Sequence, residues 1–85
     1  MQAKQLGLLI HYHRKRAGLT QEELAKHAQV SRYVVQDLEA GTGRTTWSKL
    51  VSVLEVLNLR LQPVGPLVGE WEKGEAGKGS EGGGA

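Results

Sequence analysis

Apolar and polar residues follow a helical period along the first part of the chain, in four stretches divided by short polar or glycine-containing breaks. In residues 4–17 most apolar positions fall on one stripe, with Leu8 and Tyr12 off it, and Gly18 ends the stretch. The pattern therefore predicts four helices, at about residues 4–17, 20–28, 31–40 and 47–58. The stripe of the first helix consists of Leu6, Leu9, Ile10, His13 and Ala17.

Local capping signals agree with these boundaries. Thr20 followed three residues later by Glu23 forms the pattern of a capping box, which satisfies two free N–H groups at a helix start. Ser31 and Thr46 are suited to cap the third and fourth helices, and Gly41 is suited to end the third. The segment 20–40 is therefore predicted to hold two short helices joined by a three-residue turn.

The fourth helix is apolar on two sides. One side faces the core of its own domain, and Val53 and Val56 lie on another, which in so small a chain predicts contact with a second subunit. The predicted core side consists of Trp47, Leu50, Val51, Leu54 and Leu57.

Residues 59–64 have the alternation of a strand, because Leu59 and Leu61 are separated by polar Arg60. A single strand needs a ladder partner, and the sequence offers no second strand. We therefore expect the same strand of a two-fold related subunit to pair with it, so that Val53, Val56, Leu59 and Leu61 form a homodimer contact.

Composition divides the chain into two parts. Residues 1–68 form the predicted domain and carry nine Lys and Arg against five Asp and Glu. Residues 69–85 contain seven glycines, two Lys and four Glu, and this composition predicts a disordered tail. A mildly basic domain is compatible with nucleic-acid binding, although a solvated surface of mixed charge explains the same counts.

Several kinds of chemistry have no basis in the sequence. The chain lacks cysteine, so it has neither disulfides nor thiolate metal ligands. Its three histidines are not accompanied by a suitable ligand set, and no nucleophile is placed with a base, so we predict no metal, no cofactor and no enzyme activity. Without a long apolar run or a signal-peptide pattern, we expect a soluble cytoplasmic protein.

The third predicted helix has a polar face opposite its core residues. Arg32, Tyr33, Gln36 and Asp37 lie on this face, directly after the cap at Ser31. An α-helix fits the major groove of B-DNA, where Arg can bind guanine and Gln can bind adenine. Taken alone, Arg32 or Gln36 is most often a solvated helix residue, and Tyr33 is as often a half-buried packing residue as a contact, but their common face favours DNA binding.

Residues around this helix suit contacts to the DNA backbone. Gln21 begins the preceding helix, and Ser31 offers a hydroxyl beside a helix N-terminus. Arg44 and Lys49, near the start of the fourth helix, are placed to hold phosphates on the other side. Together these residues predict a double-stranded DNA interface.

The stretch LTQEELAKHAQVSRYVVQDLEAG resembles the Xre/Cro-CI-type helix-turn-helix family, and the likeness extends over about residues 5–58. The resemblance implies an all-α, lambda-repressor-like domain of four helices, to which the predicted C-terminal strand is added. It also implies DNA contacts by Gln21 and by the residues after the third-helix cap. A structural ion pair between Arg14 and Glu39 is implied as well.

One position departs from the family pattern. Gln29 stands where the family has a turn glycine, and a left-handed conformation costs a non-glycine residue roughly 1 kcal/mol. A slightly different turn geometry is the alternative, and it would change the tilt of the third helix.

The segments TTW and LNLRLQPV resemble HipB-type antitoxins more narrowly. That resemblance implies an autoregulating repressor dimer that neutralises a HipA-like kinase toxin, with Trp71 as a possible partner contact. A lone exposed aromatic residue in a disordered tail is the alternative for Trp71. The alternatives for the whole chain are a stand-alone Xre-type regulator and a protein-interaction module with weak DNA binding.

Overall fold

The computed structural model describes residues 1–76. All regular secondary structure in these residues is helical. The all-α prediction is therefore confirmed for the described part of the chain. The helices are α1 (Ala3–Arg16), α2 (Gln21–Ala28), α3 (Arg32–Ala40), α4 (Trp47–Val56) and the short α5 (Val68–Trp71), followed by a π-helical turn at Glu72–Ala76.

A single core forms where the first four helices meet. Helix α3 packs against α1, α2 and α4, and α2 also packs against α4. Each helix gives the core its apolar stripe, as the helical period predicts. The buried apolar residues are Ile10, Leu24, Ala25, Ala28, Val35, Leu38, Val53, Leu54 and Leu57.

The turn between α2 and α3 has a left-handed residue at its first position. Gln29 adopts φ 59° and ψ 43°, so the turn keeps the conformation that glycine favours. The N–H of Gln29 donates to Lys26 O at 3.2 Å, and the N–H of Val30 donates to Ala25 O at 3.0 Å. These two bonds form a Schellman ending, which fixes the direction in which α3 leaves the turn.

Replacing Gln29 with glycine should stabilise the domain. Relief of the left-handed strain outweighs the extra entropy of glycine in the unfolded chain, leaving a gain of about 0.5–1 kcal/mol. Urea denaturation followed by circular dichroism measures this difference, and Gln29→Ala, which keeps the Cβ atom, is the matched control. If the glycine variant is no more stable than the alanine variant, the left-handed conformation of residue 29 is not strained.

Two residues of α4 lie differently from the sequence prediction, although Leu54 and Leu57 are buried as predicted. Val53 has no exposed surface within the single chain, so its assignment to the dimer contact is wrong. Trp47, predicted to be in the core, is 67% exposed at the N-terminal end of α4. Because α4 is apolar on two sides, its sequence does not indicate which side faces the core. Val56, also assigned to the dimer contact, is only partly buried.

The segments after α4 also differ from the prediction. Residues 59–64 have no regular structure, and the described residues 1–76 contain no strand that would pair with them. Disorder was predicted from Gly69, whereas α5 and the π-helical turn occupy residues 68–76. The remainder of the predicted tail, residues 77–85, lies outside the described residues.

Candidate DNA interface

Helix α3 presents the polar face expected of a recognition helix. Val35 is completely buried and Leu38 nearly so, which anchors one side of α3 in the core. Arg32 and Tyr33 are exposed in its first turn, and Tyr33 is 71% exposed although it is aromatic. The structure therefore places two side chains with hydrogen-bonding groups at the free end of the helix.

The other predicted residues of α3 occupy the same region with less exposure. Ser31 takes the N-cap position with an extended backbone, but its hydroxyl makes no capping bond, so that hydroxyl is free to meet a phosphate. Gln36 and Asp37 are half-buried one turn further along. Within residues 1–76 the carboxylate of Asp37 forms no ion pair.

Arg44 and Lys49 follow α3 in the chain, in the α3–α4 loop and at the start of α4. Arg44 is exposed in the loop that follows Gly41, and its backbone N–H donates to Thr42 Oγ1 at 3.3 Å. Lys49 is exposed in the first turn of α4. Neither cation forms an ion pair with an acid of the described segment, so both are available to phosphates.

Arg14 and Glu39 form the buried ion pair that the sequence resemblance implied. Arg14 Nε donates to Glu39 Oε2 at 2.6 Å, and Arg14 Nη2 donates to Glu39 Oε1 at 3.0 Å. Both side chains are less than one-tenth exposed. Arg14 Nη1 also donates to the carbonyl oxygen of Leu19 at 2.8 Å, so the pair connects α1, the α1–α2 loop and α3.

The surroundings of Glu39 keep its carboxylate charged. Burial alone would raise the pKa of Glu39, but the hydrogen bonds from Arg14, His11 and Gln21 outweigh it and lower the pKa below its usual value. Hydrogen bonding to Glu39 also raises the pKa of Arg14, against the opposing effect of burial. The pair is therefore fully ionised at neutral pH.

Gln21 has an internal hydrogen-bond partner that the sequence did not predict. Its side chain is half-buried, and Nε2 donates to Glu39 Oε1 at 3.2 Å. Long-range contacts of this kind have no local signal, because the two residues are 18 positions apart. The contact of Gln21 with the DNA backbone stays a prediction.

Two open concavities flank Arg32, and both contain cations that the sequence analysis did not single out. One includes Lys15, from the last turn of α1, together with Gln21. The other includes Lys26 from α2. The run of basic residues that ends α1 was the available signal for Lys15, but its position beside Arg32 depends on the α1–α2 packing.

Comparison with protein families agrees with this geometry. A family model described as a helix-turn-helix domain matches residues 5–64, which is most of the chain. The chain belongs to this helix-turn-helix family. Comparison with curated proteins gives no match.

Family membership indicates the general role of the α2–α3 unit. As a helix-turn-helix protein, the chain is a DNA-binding protein of the transcription-regulator type, in a family that is typically not enzymatic. The narrower resemblance to HipB-type antitoxins depends on the residues alone. Among residues 1–76, no helix has the length and apolar composition needed to cross a membrane.

Proposed function

We propose that this protein is a sequence-specific transcriptional repressor that reads the major groove with α3. The observation that carries the proposal is the exposure of Arg32 and Tyr33 in the first turn of a helix whose opposite side is locked in the core. Recognition helices contact base edges mainly through their N-terminal residues. Bound at an operator, the protein would block access of the polymerase.

Each candidate contact has a distinct task in this proposal. Arg32 is suited to bind guanine O6 and N7, and Gln36 to bind adenine. Tyr33 meets a thymine methyl group or a phosphate, and Asp37 accepts from cytosine N4. The DNA phosphates are contacted by side chains or N–H groups of four residues, Gln21, Ser31, Arg44 and Lys49. These phosphate contacts supply affinity that depends strongly on salt concentration.

Replacing Arg32 with alanine tests the reading role directly. We expect operator affinity to fall by about 1–3 kcal/mol, with relaxed preference at one base position. Fluorescence anisotropy with a duplex from upstream of the gene, and with duplexes altered base by base, measures both effects. Lys26→Ala is the matched control, because it removes a nearby cation and should weaken all sequences equally. An unchanged affinity for Arg32→Ala would contradict the assignment.

We further propose that the repressor acts as a homodimer. An apolar groove, here called the α4 groove, lies between α4 and the following segment and includes Trp47, Val51, Leu59 and Leu61. Glu55 and Arg60 also line it. In a two-fold interface each groove meets the same groove of the other subunit. Glu55 of one subunit can therefore pair with Arg60 of the other. Pairing of residues 59–64 would extend this contact.

The dimer has its own test. Leu61 is 43% exposed in the α4 groove, so Leu61→Lys should convert a dimer to monomer in sedimentation velocity. Leu8→Lys changes an exposed leucine on α1 and should leave the dimer intact. Such a dimer would bind two half-sites about 34–36 Å apart, one turn of DNA. A Leu61→Lys variant that is still dimeric would exclude this surface.

A second function, that of an antitoxin against a HipA-like kinase, is favoured by the exposed segment after the domain. Trp71 is 53% exposed, and together with Pro63, Pro66, Leu67 and Val68 it lines a wholly apolar surface. Exposed apolar residues grouped on one surface are suited to contact another protein. Co-expression with a kinase encoded by a neighbouring gene tests the proposal, and Trp71→Ala should weaken the complex. Failure of the wild type to form a complex would exclude the antitoxin function, whereas a stable complex without residues 63–85 would exclude the contact through Trp71.

A further inference from the structure

A hydrogen bond within the protein fixes the side chain of Gln21, which is proposed to contact DNA. It is the first residue of α2 and lines the same concavity as Lys15 and Arg32. Its Nε2 donates to Glu39 Oε1, and this bond joins the start of α2 to the end of α3. The side chain is therefore oriented before any DNA arrives.

The acceptor determines which way the amide faces. An ionised carboxylate only accepts hydrogen bonds, so the NH₂ end of the Gln21 amide, and not its oxygen, must face Glu39. An amide nitrogen carries two hydrogens, and Glu39 takes one of them. The second N–H is left to donate to another acceptor, and a phosphate oxygen is the acceptor that DNA offers.

Glu39 is itself rigidly held. Its two oxygens accept from Arg14 Nε and Nη2, and Oε1 also lies 2.9 Å from Nδ1 of His11. The carboxylate thus has fixed donors on both oxygens before it receives Gln21. Rotamer freedom of the glutamine is lost during folding, and binding does not have to restrict it again.

We propose that Glu39 is a positioning residue for DNA binding, because its Oε1 aims the second N–H of Gln21 at a backbone phosphate. The Arg14–Glu39 pair then serves DNA binding in addition to folding. This inference rests on the proposed DNA contact of the α2–α3 unit, and it assigns a role to a residue that does not itself touch DNA.

The test is a double-mutant cycle between Gln21 and the buried pair. The combined variant Arg14→Met/Glu39→Leu removes the acceptor of Gln21, leaves no unpaired charge and keeps the net charge. Binding is measured by fluorescence anisotropy with a duplex of arbitrary sequence, about 20 base pairs long, at about 50 mM salt, where backbone contacts are strong. Gln62→Ala, which alters an exposed glutamine outside the helices, is the control.

Coupling between the two sites is the expected result. Gln21→Ala and the combined variant should each weaken binding by about tenfold, the loss of one hydrogen bond to a charged group. Adding Gln21→Ala to the combined variant should then change the affinity by less than about twofold. Unchanged affinity of the combined variant, or a full additional tenfold loss from Gln21→Ala, would overturn the proposal.

A measurement on the free wild-type protein keeps the proposal testable if the combined variant fails to fold. The side-chain NH₂ group of Gln21 should have a nuclear magnetic resonance order parameter close to that of the backbone, about 0.85, whereas the amide of Gln62 should fall below about 0.6. Equal mobility of the two amides would overturn the positioning role. Failure of the wild type to bind any duplex would instead overturn the proposed function.

Discussion

Replacing Glu39 alone with leucine should destabilise the domain by about 3–5 kcal/mol, because it leaves the buried Arg14 guanidinium without its counter-ion. The midpoint of thermal unfolding should fall by at least about 12 °C for a domain of this size. Adding Arg14→Met should restore most of the stability, since a buried ion pair can be replaced by apolar residues of similar volume at little cost. Chemical denaturation of the two variants and the wild type measures both effects.

A neighbouring cation supplies the control for this series. Lys15 follows Arg14 on α1 but is exposed, so Lys15→Met should change the free energy of unfolding by no more than about 1 kcal/mol. A Glu39→Leu variant as stable as Lys15→Met would show that Arg14 reaches water without its partner. The buried ion pair would then have no structural role.

Replacing Gly7 with alanine should destabilise the protein even though alanine is the better helix former. A Cβ atom at position 7 would lie 2.5 Å from Leu38 O and 2.7 Å from Glu39 O, and both atoms belong to the backbone of α3. Because backbone cannot rotate away, α1 must move, and overpacking of this kind costs about 1–3 kcal/mol. Helix propensity would recover at most about 1 kcal/mol of that cost.

Leu8→Ala is the matched control for Gly7→Ala. Leu8 is the next residue of the same helix, but its side chain is largely exposed, so we expect a change within about 0.5 kcal/mol. Both variants are compared by urea denaturation. A Gly7→Ala protein more stable than the wild type would mean that α1 and α3 do not approach this closely, and the Arg14–Glu39 geometry would need revision.

Local sequence signals predicted the helices well, because their causes are local. Thr20 Oγ1 accepts from the Glu23 N–H at 3.0 Å and the Glu23 carboxylate accepts from the Thr20 N–H at 2.9 Å, as the capping box predicts. The left-handed turn at Gln29 follows from the family pattern, although the residue itself disfavours it. The side of α4 that faces inwards was mispredicted at Trp47 and Val53, because both sides of this helix are apolar.

The candidate site shows the same division between local and long-range causes. The exposed positions of Arg32 and Tyr33 follow from the helical period, since Val35 and Leu38 fix the inward side of α3. The bond from Gln21 to Glu39 depends on how three helices pack, and no spacing in the sequence encodes it. Sequence therefore predicts which side chains of α3 are exposed, whereas the packing determines the hydrogen-bond partner of Gln21.

Mapping the DNA-contacting residues by nuclear magnetic resonance tests the central claim most directly. A ¹⁵N-labelled protein is titrated with a duplex from upstream of its gene, and the amide shifts of all residues are followed. We predict the largest changes at residues 31–37 and at Gln21, with smaller changes at Arg44 and Lys49. Changes confined to α4 and residues 59–71, or no changes at all, would contradict the account of α3 as a DNA-reading helix.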